Sequence, residues 1–92
     1  MIKTFRHKGL KKLFEQGERS GLAAEMSERL KVRLDYLDAA AVISDMDLPG
    51  YKLHQLKGDR KATWSIHVSG NWRLTFKFNE GEAIDVDLED YH

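Results

Sequence analysis

The 92-residue sequence contains no cysteine, a single proline and no long apolar run. Without cysteine the chain has no disulfide, no thiolate nucleophile and no cysteine-liganded zinc site, which is consistent with a reducing compartment. No apolar stretch approaches the roughly 20 residues that cross a bilayer, and the basic start "MIKTFRHKGLKKLF" is unlike a secretory signal. We therefore expect a cytoplasmic protein that does not use a membrane.

The sequence also lacks net charge, because 15 lysine and arginine residues balance 15 aspartate and glutamate residues. The charges nevertheless occur in blocks. Residues 1–33 hold nine basic against four acidic residues, and residues 51–77 hold six against one. Residues 34–50 and 78–92 hold four and six acidic residues and no basic ones. Such blocks can form a basic surface on a neutral protein, or they can neutralise one another across neighbouring elements, and composition leaves both interpretations open.

At 92 residues and 41% apolar content, the chain has room for a single domain, residues 1–92, with one modest core. Apolar spacing predicts a short strand in "IKTF", a short basic helix that ends at Gly17 and a main helix over residues 23–41. From residue 63 the period changes to two, which predicts three antiparallel strands. The predicted fold class is α+β in the order β-α-α-β-β-β, with an antiparallel sheet and two helices packed on one face.

The two hairpins are expected to have three-residue loops, "SGN" and "NEG", because an odd loop length brings apolar residues opposite one another. This register pairs Ile66 with Leu74 and Leu74 with Val86. It also places Arg73 opposite Asp87 on the face of the sheet that the helices leave uncovered, which we call the helix-free face. A cross-strand ion pair is therefore one explanation for Arg73.

Two stretches concentrate side chains that handle protons or phosphates. The long loop that we predict in "PGYKLHQLKGDRKA" contains His54 and Lys57, and the sequence closes on Asp90, Tyr91 and His92. The four histidines have no metal-site spacing, so no metal is expected. An imidazole with an ordinary pKa suits acid–base catalysis near neutral pH.

These side chains also have structural explanations. A lone surface histidine usually has no function, and this is our interpretation of His7 and His67. The functional interpretation combines the others, because imidazoles, a phenol, a carboxylate and cations suffice to cleave RNA without a metal. One group deprotonates the ribose 2′-hydroxyl, a second protonates the leaving 5′-oxygen, and cations stabilise the phosphorane. Tyr91 could stack on a base, whereas the alternation of its strand assigns Trp64 to the core.

Three motifs, "LHQLKGDR", "NWRLTF" and the terminal "DYH", closely resemble those of the HigB toxins, together with the opening "IKTFRHKGLKKLFE". HigB toxins form the plasmid maintenance system killer branch of the RelE/ParE superfamily. The resemblance covers nearly the whole chain and implies a RelE-like microbial ribonuclease fold. It further implies a ribosome-dependent mRNA endoribonuclease (mRNA interferase) of a type II toxin–antitoxin system, which cleaves mRNA in the ribosomal A site and inhibits translation.

Position by position, the resemblance implies catalytic roles for four residues and an RNA-binding, transition-state-stabilising role for two. The four are His54, Asp90, Tyr91 and His92, and the two are Lys57 and Arg73. It implies neither a metal nor a cofactor. The assignment of general base and general acid among His54, His92 and Asp90 stays open. Residues added after His92 are expected to obstruct the site.

The partners that the resemblance implies are a HigA-like helix-turn-helix antitoxin, the 70S ribosome with its rRNA, and mRNA. Operator DNA would be contacted only indirectly, through the antitoxin. The basic start of the chain could contact ribosomal RNA phosphates, although most charge runs are merely solvated. An alternative function from another class is a non-catalytic binding module that inhibits translation or acts as a co-repressor with its antitoxin.

Overall fold

The structure is a computed structural model that describes residues 1–19 and 21–91. His92, one of the predicted catalytic residues, lies outside the described residues. Two α-helices, two 3₁₀ turns and four strands follow one another in the described part of the chain. They are α1 (Lys8–Gln16), α2 (Ala24–Ala39), a 3₁₀ turn (Ile43–Met46), β1 (His54–Gln55), a 3₁₀ turn (Gly58–Arg60), β2 (Thr63–Ser69), β3 (Trp72–Asn79) and β4 (Glu82–Asp90). The strands form one antiparallel sheet in the order β1-β2-β3-β4, which confirms the α+β prediction.

The first helix begins and ends where its sequence indicates. His7 precedes α1, and its Nδ1 atom accepts a hydrogen bond from the Leu10 N–H at 3.2 Å, which satisfies one of the free donors of the first turn. Gly17 ends the helix in the left-handed conformation with φ of 69°, where a glycine carries no Cβ strain. His7 therefore has a structural role as a helix cap.

Both helices pack on one face of the sheet, as predicted. Fully buried leucines of α1 and α2 meet fully buried apolar residues of the three long strands. The largest of these side chains are Leu10, Leu30, Leu34, Leu37, Ile66, Leu74 and Phe76. Removing one such side chain from water contributes about 1.5–3 kcal/mol. Trp64 packs against this core from a partly buried position, on the side of the sheet that its alternation predicts.

The β2–β3 hairpin keeps the predicted pairing of Ile66 with Leu74, but its loop is shorter than predicted. Ser69 pairs with Trp72, so only Gly70 and Asn71 form the turn. An irregularity between His67 and Ser69 adds one residue to β2. Because a bulge adds one residue to one strand, an even loop with a bulge gives the same apolar alignment as an odd loop without one.

The β3–β4 register that we predicted is wrong by two residues. Leu74 pairs with Leu88 rather than Val86, and Arg73 pairs with Glu89 rather than Asp87. The turn consists of Glu80 and Gly81, whose φ values of 49° and 77° are both positive, as type I′ hairpin turns require. A second irregularity shifts the register between Thr75 and Lys77 of β3. On the β4 side of this irregularity, Asp85 has a φ of 54°.

The two edges of the sheet also differ from the prediction. "IKTF" makes two isolated parallel bridges to β4, Ile2 with Ala83 and Phe5 with Val86, instead of a regular strand. At the opposite edge, β1 lies inside the segment that we predicted as a loop, and pairs with β2. This unpredicted strand fixes the position of His54 relative to the sheet.

Candidate functional site

His54 lies on β1 at the edge of the sheet. Its backbone pairs with Ser65 on β2, which pairs with Thr75 on β3, so these residues form a row across the helix-free face. The imidazole is exposed, and its Nδ1 atom lies 3.1 Å from the carbonyl oxygen of Lys52. A carbonyl can only accept a hydrogen bond, so Nδ1 carries the proton of the neutral ring and Nε2 keeps its lone pair. His54 can therefore accept a proton from the solvent side.

Arg73 lies two residues along β3 from Thr75 and on the same face. Strand spacing and rise place its Cα about 12 Å from that of His54, a separation that two long side chains and a substrate can span. The Arg73 guanidinium carbon lies 5.6 Å from the centroid of the Tyr91 ring. The Tyr91 N–H donates to the Asn71 carbonyl at 2.7 Å, which ties the end of the chain to the β2–β3 turn. The structure thus brings Arg73 and Tyr91 together.

Two buried polar atoms on this face have no hydrogen-bond partner among the described residues. They are Nη1 of Arg73 and Oγ of Ser65, the residue that pairs with His54. Buried polar groups nearly always have a partner, and an unsatisfied one costs about 1–3 kcal/mol. A buried water molecule, or a ligand that carries an acceptor, could supply the missing partner.

The other predicted site residues are less closely joined to this pair. Lys57 is exposed and immediately precedes the 3₁₀ turn Gly58–Arg60. Asp90 is exposed and ends β4 opposite Trp72, so strand alternation directs it to the helix side of the sheet, away from Tyr91. His92 is not among the described residues, and its position relative to His54 stays a prediction.

The strongest polar contacts on the helix-free face involve two residues that we did not predict. Arg60 donates to Glu89 with both terminal nitrogens, Nη1 to Oε1 at 2.8 Å and Nη2 to Oε2 at 2.5 Å. The Thr75 hydroxyl also donates to Oε2 at 2.5 Å. The hydrogen bond from Arg60 lowers the pKa of Glu89, and the same hydrogen bond raises the pKa of Arg60. Arg60 stands in the cationic segment that the sequence singled out, but only the correct β3–β4 register reveals Glu89.

A cavity of about 200 Å³ adjoins this ion pair on the helix-free face. Three basic and four acidic side chains line it, so its charge is nearly balanced and does not favour a phosphate. These are Arg6, Arg60, Lys77, Asp59, Asp85, Asp87 and Glu89. Of the predicted catalytic residues that the structure describes, His54, Asp90 and Tyr91, none lines this cavity. Arg73 lies on the same face outside this cavity, and its Nη1 has no partner among the described residues.

Within residues 1–19 and 21–91, no group of three or more His, Asp or Glu side chains is arranged to hold a metal ion. None of the helices in this part of the chain is long and apolar enough to cross a membrane.

Three comparisons place the chain among known proteins. A family model described as "RelE-like toxin of type II toxin-antitoxin system HigB" matches residues 3–92. The chain is 51% identical over 92 residues to Endoribonuclease HigB of Proteus vulgaris, with 100% of both chains covered. It is 33% identical over 91 residues to Toxin HigB-1 of Vibrio cholerae serotype O1, with 97% of this chain and 96% of that one covered.

The fold is also similar to the solution structure of the conserved hypothetical protein HP0894 from Helicobacter pylori. The TM-score is 0.51, and the match covers 99% of this chain and 98% of that one at 16% sequence identity. At this identity the likeness concerns the fold alone.

Proposed function

Because the chain belongs to the family of RelE-like HigB toxins of type II toxin–antitoxin systems, we propose that it is an endoribonuclease that cleaves mRNA in the ribosomal A site. The cleavage inhibits translation in the cytoplasm, and one domain, residues 1–92, carries it out. Membership of the family implies an antitoxin partner. In the proposal this antitoxin is a HigA-like helix-turn-helix protein, and the toxin reaches operator DNA only through it.

The proposed reaction needs acid–base chemistry and no metal. The ribose 2′-hydroxyl attacks the adjacent phosphorus as a base removes its proton, and an acid protonates the leaving 5′-oxygen. His54 is the proposed base, which is supported by the contact of its Nδ1 with the Lys52 carbonyl, since Nε2 then keeps its lone pair. The proposed acid comes from the chain end and is His92, because strand alternation directs Asp90 to the helix side of the sheet.

The observation that carries the proposal is the environment of the Arg73 guanidinium. The guanidinium lies near the Tyr91 ring, and its buried Nη1 has no partner among the described residues. A phosphate oxygen of RNA would satisfy this donor and place a fixed cation where charge develops on the phosphorane. In the proposal Lys57 adds a second, mobile cation, and Tyr91 holds Arg73 in place.

The test is primer extension on a defined mRNA, with and without ribosomes, in a reconstituted translation reaction. The wild-type chain is expected to produce cuts only in the presence of ribosomes. Arg73→Ala should reduce the cleavage rate about 100-fold while it still sediments with ribosomes. Lys77→Ala is the matched control, because Lys77 lies on the same face of β3 and contacts Asp85 at 3.7 Å.

One result separates this proposal from the non-catalytic binding module. If the wild-type chain stops translation without cutting the mRNA, or if Arg73→Ala cuts as fast as Lys77→Ala, the catalytic role that we propose for this face is wrong.

A further inference from the structure

Arg73 stands directly opposite a carboxylate and yet does not pair with it. Glu89 is its partner in the β3–β4 register, and both side chains lie on the helix-free face. Side chains at directly opposed positions of antiparallel strands are about 5 Å apart at Cβ, and opposite charges there ordinarily attract and pair. Nη1 of Arg73 nevertheless has no partner among the described residues.

Other donors already engage both oxygens of Glu89. Arg60 binds them in the two-pronged arrangement that suits a guanidinium and a carboxylate, and the Thr75 hydroxyl adds a third hydrogen bond. Arg60 comes from the 3₁₀ turn after β1, so the contact joins two segments 29 residues apart. The Glu89 side chain is only 23% exposed, and this burial limits screening of the contact by solvent.

We infer that Arg60 is a positioning residue, which engages the Glu89 carboxylate and so keeps Arg73 available for the RNA phosphate. This inference rests on the proposed function, in which Arg73 binds the scissile phosphate. Without Arg60, the carboxylate turns to the cation across the strand pair, and the Arg73–Glu89 ion pair then competes with RNA. Arg60 acts in this way through Glu89 and needs no contact with the substrate.

A simpler alternative is that the ion pair only anchors the segment that carries Lys57. The two roles differ in what happens when Glu89 is also removed. If the anchor matters, loss of either partner is equally harmful, and loss of both is no better. If the carboxylate competes for Arg73, loss of Arg60 is harmful only while Glu89 keeps its charge, so the second substitution restores activity.

The experiment compares Arg60→Met, Glu89→Gln and the double variant, in the full-length chain and in the same translation reaction. Arg60→Met is expected to cut about tenfold more slowly than the wild type. A charge-assisted hydrogen bond of ordinary strength between Arg73 and Glu89 would reduce the population of available Arg73 by about this factor. Glu89→Gln should stay within about threefold of the wild type, and the double variant should return to the level of Glu89→Gln. Lys3→Met is the matched control, because it removes another β4 ion pair, Lys3–Glu82 at 3.2 Å.

Arginine side-chain NMR gives a second readout that does not depend on activity. The Arg73 Nε–H resonance should move in Arg60→Met and return towards its wild-type position in the double variant. Thermal melts establish that each variant is folded. Arg60→Lys retains the charge but cannot bind both oxygens of the carboxylate as a planar guanidinium does. Its cleavage rate should therefore fall between those of the wild type and Arg60→Met.

The inference is overturned if the double variant is as slow as Arg60→Met, or if Arg60→Met leaves both the cleavage rate and the Arg73 resonance unchanged. A different result would contradict the proposed function, namely that Arg73→Ala cuts mRNA at the wild-type rate. If Arg73→Ala is inactive and Arg60→Met fully active, only the inference about Arg60 is wrong.

Discussion

The guanidinium of Arg73 and the ring of Tyr91 lie together at the end of the sheet, with 5.6 Å between the guanidinium carbon and the ring centroid. The Tyr91 backbone is held separately, through its N–H and the Asn71 carbonyl at 2.7 Å. Tyr91 is 37% exposed, so it is accessible from solvent while its ring limits the movement of the arginine. This contact connects the terminal motif of the sequence to the middle of β3.

The Tyr91 contact predicts that the ring matters more than the hydroxyl. Tyr91→Phe keeps the aromatic face and should cut mRNA within about threefold of the wild type, whereas Tyr91→Leu should lose about tenfold, because the cation–π contact and the stacking surface are both removed. Single-turnover cleavage rates measure both. A loss of 100-fold or more in Tyr91→Phe, in the range of general acid–base catalysis, would show that the phenol transfers a proton instead.

His54 and His67 provide a matched pair for testing the proposed base. His54→Ala should lower the cleavage rate by about 100-fold or more, the usual contribution of a general base, and should leave ribosome binding unchanged. His67 lies on neighbouring β2 opposite Arg73, with Nε2 3.0 Å from the Gly70 carbonyl, and we predict no catalytic role for it. His67→Ala should therefore cut at nearly the wild-type rate. Equal losses in the two variants would contradict the assignment.

The Arg60–Glu89 pair predicts how stability depends on pH. The hydrogen bond from Arg60 lowers the pKa of Glu89 below its ordinary value of 4.5. A carboxylate with a lowered pKa adds stability above its unfolded-state pKa and loses it as the pH falls through the folded-state pKa. Glu89→Gln should reduce the free energy of unfolding by about 1 kcal/mol near pH 7 and by much less well below pH 4.5.

Urea unfolding at both pH values checks this prediction. Asp45 supplies a comparison, because hydrogen bonds from the backbone N–H groups of Val42 and then Ala41 lower its pKa too. Asp45→Asn should therefore also reduce the fall in the free energy of unfolding at acidic pH, without any effect on cleavage. If Glu89→Gln weakens the protein equally at both pH values, the charge of Glu89 is not what stabilises it.

The β3–β4 turn predicts a stabilising substitution away from the site. Glu80 has a φ of 49°, a conformation that asparagine tolerates far better than glutamate, and Asn-Gly is the preferred pair for a type I′ turn. Glu80→Asn should raise the free energy of unfolding by about 0.5 kcal/mol, measured by urea denaturation.

Gly81→Ala tests the same turn in the opposite direction. Its Cβ would meet the Ala41 carbonyl oxygen at 3.6 Å, an ordinary contact, so the expected loss of about 1 kcal/mol comes from the φ of 77°. No change in cleavage is expected from either variant. A destabilised Glu80→Asn would mean that the turn is not of type I′ in solution.

The helices and the faces of the strands could be predicted from the sequence because their signals are local. Leu10, Leu13 and Gly17 indicate the end of α1 through spacing and backbone freedom, and the structure confirms it. The alternation in "TWSIHV" likewise assigns Trp64 and Ile66 to the helix side of the sheet. The motifs "LHQLKGDR" and "NWRLTF" also led to the family, which the comparisons confirm.

The strand register could not be predicted in the same way. An odd loop, and an even loop followed by a bulge, both bring apolar side chains opposite apolar side chains, so hydrophobic patterning cannot distinguish them. The choice depends on the positive φ values of the Glu80–Gly81 turn and on Asp85, and it shifts the partner of Arg73 from Asp87 to Glu89. The short β1 was missed because two residues carry no periodicity.

The sequence by itself determined the two helices, the three long strands, the buried face and the residue types available for chemistry, since these depend on interactions between near neighbours. Only the tertiary structure decided which charges meet. It alone brought Arg60 to Glu89 and left Arg73 beside Tyr91, because contacts between segments far apart in the sequence depend on loops and bulges that the side-chain pattern does not record.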